Sequence, residues 1–126
     1  MNTIDETIAA LYESVCFEEG QLPDWSWQEK AFAPGARLVR VTDDGVFEFD
    51  LPAYRANIEA LIDSGAVTSF WEAETSRETR ELGPDAVHVF SAYEARRSRG
   101  GAFLYSGVNS IQLFRRDGRW WVSAMI

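Results

Sequence analysis

One cysteine, Cys16, and one histidine, His88, occur among 126 residues. A lone cysteine excludes an intramolecular disulfide and any metal site built on several thiolates. A lone histidine argues against a His-based metal centre. No apolar run approaches the roughly 18 residues that cross a bilayer, and no basic stretch followed by an apolar run opens the chain. The expectation is a soluble, cytoplasmic protein. Positive charge is also scarce: 12 Lys and Arg against 20 Asp and Glu leave a net charge of -8, which repels nucleic acid and anionic membrane surfaces. Neither is expected as a partner. The basic cluster Arg96-Arg97-Ser98-Arg99 falls at a hairpin end and reads as a solvated turn. A Gly-x-Ser-x-Gly elbow is missing, which removes the serine-hydrolase reading. Ser98-Arg99-Gly100-Gly101 precedes a strand rather than a helix, so it is no phosphate-binding loop. No cofactor and no metal are expected.

What the chain has is apolar patterning. With 46% hydrophobic residues and no linkers or repeats, residues 1–126 read as a single domain able to bury roughly two-thirds of its unfolded surface. Ile4, Ile8, Leu11, Tyr12 and Val15 recur at helical spacing and predict a helix over residues 5–19, ended by Gly20. Asp24 caps a short helix through Trp25, Trp27 and Phe32, which Pro34-Gly35 stops. Residues 36–41 read as a first strand, Thr42-Asp43-Asp44-Gly45 as a turn and residues 46–49 as a short extended segment. Asp50 caps a helix to about Ser64 with Pro52 in its first turn and a stripe of Leu51, Tyr54, Ile58, Leu61 and Ile62. Residues 67–82 suit a curved strand with one wet face. Alternating apolar and polar residues then mark a long hairpin, residues 86–99 and 102–126, turned again at Asp117-Gly118. Helices followed by four long antiparallel strands argue for an α+β fold, with all helices on the concave face of one strongly bent antiparallel sheet that forms a cone.

The chain resembles the nuclear transport factor 2-like, or SnoaL-like, superfamily. The resemblance rests on the N-terminal helix with Ala33-Pro34-Gly35-Ala36 stepping into strand one, the Tyr54 to Ile62 helix, Ala86-Val87-His88-Val89, and Arg115-Arg116-Asp117-Gly118-Arg119-Trp120. That last hairpin also resembles the association domain of calcium/calmodulin-dependent kinases. The resemblance implies a conical pocket between helices and sheet, and often a homodimer through the sheet's outer face. It implies no single activity, because the same cone hosts cyclases, isomerases, dehydratases, ligand binders and assembly modules. Polyketide cyclases and steroid isomerases of the superfamily use an acidic base within the cone; no local motif carries such a residue over to this chain, and its catalytic residues stay unknown.

If Arg99-Gly100-Gly101 turns the hairpin, antiparallel pairing sets Ser91 opposite Asn109, Tyr93 opposite Gly107 and Val89 opposite Ile111. Continuing through Asp117-Gly118 adds Leu113, Trp120, Val122, Ala124 and Ile126 to the same, more apolar face, which should meet the helices. His88, Phe90, Ser110, Gln112, Trp121, Ser123 and Met125 take the other face. A β-bulge would exchange these sets locally.

The candidate ligand-binding groups on the concave face are then Ser91, Tyr93 and Asn109, with Tyr54 from its helix, Trp27 near the mouth and Trp120. Convergent polar groups in an apolar cleft suit a small apolar or carbonyl-containing molecule; Asn109 with Tyr93 or Tyr54 could stabilise an oxyanion. The same groups could instead satisfy one another in a filled core. His88, oriented by Glu78 or Glu81, could act as a general base, but parity puts it outside the cone, hydrogen-bonded to Gln112 or Ser123 at a dimer interface. Glu72 and Glu74 could be paired carboxylates; alternation with Arg77 and Arg80 reads instead as a solvated strand surface. Phe90, Phe114, Trp121 and Met125, left uncovered, predict a homodimer. Three functions stay open: a small-molecule-binding domain, a cyclase, isomerase or dehydratase of a carbonyl compound, and an assembly module without ligand.

Overall fold

The computed structural model describes residues 2–126. Helix α1, Ile4–Glu13, starts where the Thr3 hydroxyl accepts from the Glu6 backbone N–H at 3.1 Å and donates to the Glu6 carboxylate, an N-cap. It ends six residues before the expected Glu19. Ser14 donates to the Leu11 carbonyl, and Phe17 exchanges both backbone hydrogen bonds with Phe70. Val15, Cys16 and Phe17 favour extended backbone, and pairing with Phe70 outweighs one more helical turn. Helix α2, Ser26–Ala31, follows an Asp24 side chain that accepts from the Ser26 N–H.

Strand β1, Phe32–Thr42, runs through Pro34-Gly35 instead of starting after it. Gly35 takes a φ of 81°, a value glycine adopts without strain, and the β1 register shifts between Phe32 and Arg37. The expected helix stop is therefore a bulge inside a strand. Strand β2, Gly45–Phe49, folds back on β1. Helix α3, Leu51–Asp63, is capped by Asp50, which accepts from Ala53, as the sequence indicates. Strands β3, Trp71–Glu81, β4, Ala86–Arg96, β5, Phe103–Arg116, and β6, Arg119–Met125, complete one sheet in the order β2-β1-β6-β5-β4-β3.

The architecture is α+β, with one difference from the expected sheet: β1 pairs with β6 in parallel, so the sheet is mixed. Every strand pair except β1–β2 carries a register shift; bulges bend strands and raise their twist, and they curve this sheet around its helices. The expected β4–β5 register holds, with Val89 opposite Ile111, Ser91 opposite Asn109 and Tyr93 opposite Gly107. In β6 an extra residue at Ser123 breaks the expected alternation. Leu113 faces Val122 but Ile111 faces Met125, so Met125 rather than Ala124 joins the inner face and leaves the outer apolar set.

The core lies between α1 and the middle of the sheet. Ile8, Leu11 and Tyr12 pack on Val87, Val89, Ile111, Leu113, Trp120 and Val122, all buried. Helix α3 is different: none of its residues is fully buried.

Candidate functional site

Between α3 and the wide end of the sheet lies a cavity of about 760 Å³. Its walls are largely aromatic. From α3, Tyr54 meets Phe49 edge-on at 5.9 Å; from the sheet, Tyr105 lies between Tyr93, at 6.3 Å, and Phe70, at 6.4 Å. Leu38, Ile58, Leu61 and Met125 add aliphatic surface. Tyr93 lies close over Gly107, where a Cβ would come within 2.8 Å of its hydroxyl and force the ring to shift.

Glu72 is the acid of this cavity. It lines the wall from β3 opposite Ala95, and its carboxyl makes no ion pair among the described residues. Burial alone pushes its pKa up to about 7, because a low-dielectric surrounding disfavours the carboxylate. Its backbone is held by Cys16, whose Sγ lies 3.4 Å from the Glu72 N–H and 3.5 Å from its carbonyl. The early end of α1 makes this contact possible, because Cys16 belongs to the segment that pairs with Phe70.

Glu72 was expected on a solvated face. The strand expected over residues 67–82 is Trp71–Glu81; its pairing with β4 runs unbroken from Glu81 to Ser76, opposite Ala92, but Thr75 has no partner and Glu74 falls opposite Tyr93. That one-residue bulge turns both Glu74 and Glu72 inward. Extending the hairpin pairing rule across Leu82–Asp85 locates β3 opposite β4; an unbulged register would leave Glu72 outside, and nothing in the sequence marks Thr75.

Glu74 anchors a second group of side chains. Its carboxylate accepts two hydrogen bonds from Arg77, at 2.7 and 2.9 Å, and one from the Ser91 hydroxyl. A carboxylate cannot donate, so Ser91 spends its proton there and accepts from Tyr12 at 2.7 Å. Tyr12 then accepts from the Asn109 amide at 3.2 Å. The direction of the chain Asn109, Tyr12, Ser91, Glu74 follows from its carboxylate end and fixes which way the Asn109 amide turns. Burial pushes the Tyr12 pKa up to about 12, so it stays a neutral donor.

Of the residues singled out from sequence, Tyr54, Tyr93 and Asn109 line the cavity. Ser91 does not: it is fully buried behind the wall, bonded to Tyr12 and Glu74. Trp120 is likewise core, because its side chain falls under α1. Trp27 packs against the core and does not line the cavity, with the Lys30 ammonium 4.3 Å above its ring; Trp25 takes the place beside Tyr54. His88 lies on the outer face, bonded to Ser110 at 2.7 Å and stacked on Phe90. Sequence reasoning missed Glu72, Tyr105, Arg40 and Arg97 as wall residues.

Burial raises the pKa of Tyr54 and Tyr93, and that of Tyr105 up to about 12, with the nearby Glu72 charge adding to the rise in all three. The cavity thus sets one carboxyl that titrates near neutrality among three phenols that stay protonated.

No protein-family model and no curated protein sequence matches the chain. Solved structures do. A protein of unknown function with a cystatin-like fold from Nostoc punctiforme superposes with a TM-score of 0.71 at 15% identity, over 97% of this chain and 84% of that one. A protein from Kribbella flavida gives 0.70 at 16% identity over the same shares, 97% and 84%. A putative ketosteroid isomerase from Shewanella frigidimarina gives 0.54 at 17% identity, over 81% of this chain and 79% of that one. The fold is nuclear transport factor 2-like. At these identities the likeness is one of fold.

Proposed function

We propose that the cavity binds a small, mostly apolar carbonyl compound and that Glu72 moves a proton on it, in the manner of an isomerase, cyclase or dehydratase. The observation that carries this reading is the unpaired Glu72 carboxyl in the cavity wall, with its pKa raised to about 7. A general base works best when its pKa lies near the ambient pH. Glu72 as carboxylate removes a proton from the carbon beside the carbonyl, and the electron pair moves to oxygen. Protonated Tyr54, Tyr93 or Tyr105, or the oriented Asn109 amide, donates to that oxyanion. Glu72, now the acid, returns the proton to carbon. The resemblance in fold to a putative ketosteroid isomerase is in keeping with this chemistry.

The test is deuterium incorporation into β-tetralone in deuterium oxide, followed by NMR. The native protein should accelerate exchange, with a rate that rises with pH through about 7, and Glu72→Gln should fall to the buffer rate. Retained exchange in Glu72→Gln would sink the assignment.

The outer sheet face supports a homodimer. Phe90 is 42% exposed there, beside half-buried His88, Phe114 and Trp121, and aromatic patches of this kind mark interfaces. Light scattering coupled to gel filtration should give a dimer mass that Phe90→Glu reduces; a native monomer would refute it. The reading as an assembly module without ligand is disfavoured by the open cavity, since Trp27 and Trp120 do not fill it.

A further inference from the structure

The chain is acidic overall, yet the charged residues that line the cavity are Arg40, Arg97 and Glu72. Two of the three are cations. Arg40 lies on β1 two residues beyond the buried Leu38, on the same inner strand face, and its guanidinium sits 5.8 Å from the Phe49 ring centre. The same guanidinium lies 5.9 Å from the Phe47 ring centre. Arg97 approaches from the β4–β5 turn, where its backbone bonds to Ala102 and Ser69 hold it in place. It belongs to the basic cluster that reads from sequence as a solvated turn.

Neither guanidinium makes an ion pair among the described residues, and the same holds for Arg37, Arg80, Arg99, Arg116 and Arg119; what sets Arg40 and Arg97 apart is that they line the cavity. Two cations and one buried carboxyl on a single cavity wall offer an anionic ligand its counter-charge. Both are exposed, and guanidinium groups match the fork of a carboxylate.

We infer that the ligand is an organic carboxylate, its acid group held by Arg40 and Arg97 and its apolar body lying under α3 among the tyrosines. This rests on the reading that the cavity binds a small molecule, and it adds the substrate class: an acid that also carries the carbonyl. The two cations outweigh the single carboxyl, which burial keeps partly protonated at neutral pH.

The test compares naphthylacetate with naphthylacetamide, which share shape and differ in charge, by titration calorimetry. Two partly solvated charge contacts correspond to roughly tenfold in affinity, so the acid should bind about tenfold more tightly than the amide. The advantage should vanish in the double variant Arg40→Gln/Arg97→Gln, shrink with added salt and survive Arg80→Gln on the outer face, while amide binding stays constant. Equal binding of acid and amide to the native protein would overturn the inference and leave the small-molecule reading standing. An equal loss of both ligands in the double variant would also overturn it. Binding of neither compound would remove the two readings together.

Discussion

The two ends of the sheet's inner face are built differently. Under α1 the face is dry: Ile8 and Leu11 meet Val89, Ile111 and Val122, each with essentially no exposed surface. Under α3 the same face is aromatic, hydroxylated and open, and the helix above it buries no residue completely. The two covers start alike, with Thr3 capping one and Asp50 the other. Their difference lies in what they meet. The end under α1 is filled with side chains, and the end under α3 is left open. Unpaired Glu72 belongs to the second environment, where burial without a counter-ion is a cost to folding.

Truncating one leucine in each cover separates the two ends most strongly. Leu11→Ala should cost about 2–5 kcal/mol, as expected for a fully buried leucine, whereas Leu61→Ala, half-buried on the cavity wall, should cost about 1 kcal/mol or less. Urea denaturation of both variants gives the comparison, and equal losses would mean that α3 is as firmly packed as α1.

A smaller effect, of opposite sign, is expected at Glu72. Its folded pKa, about 7, lies above the ordinary 4.5, so the folded state holds its proton more tightly than the unfolded one. Its contribution is harmless below the ordinary value and turns destabilising as pH rises from there through about 7. The full cost in alkaline solution is on the order of 3 kcal/mol. Glu72→Gln should therefore be more stable than the native protein at about pH 8 and similar to it in acid. A variant less stable at both pH values would place Glu72 in the supporting structure instead.

The same contrast explains what could be read from the residues. The closed end was legible: the helical stripe of Ile8, Leu11 and Tyr12 and the alternation in β4 and β5 both report apolar burial, and tight turns set the register that brings Ser91 opposite Asn109. The open end depends on bulges. One extra residue at Thr75 turns Glu72 inward, and one at Ser123 exchanges Met125 with Ala124. Bulge positions follow from the closure of the whole sheet, which no local pattern encodes. Cys16 illustrates a different limit. Its place beside Glu72 depends on α1 stopping at Glu13 to let Phe17 pair with Phe70, a tertiary contact that overrides helical periodicity.

Carbon-13 NMR titration of the glutamate carboxyl carbons, with Glu72→Gln to assign the resonance, tests the central claim most directly. One carboxyl should show a midpoint near 7 that disappears in the variant. A Glu72 midpoint in the ordinary carboxylate range, near 4.5, would mean that the group is solvated or paired, and would contradict its role as the proton-transfer residue of the cavity.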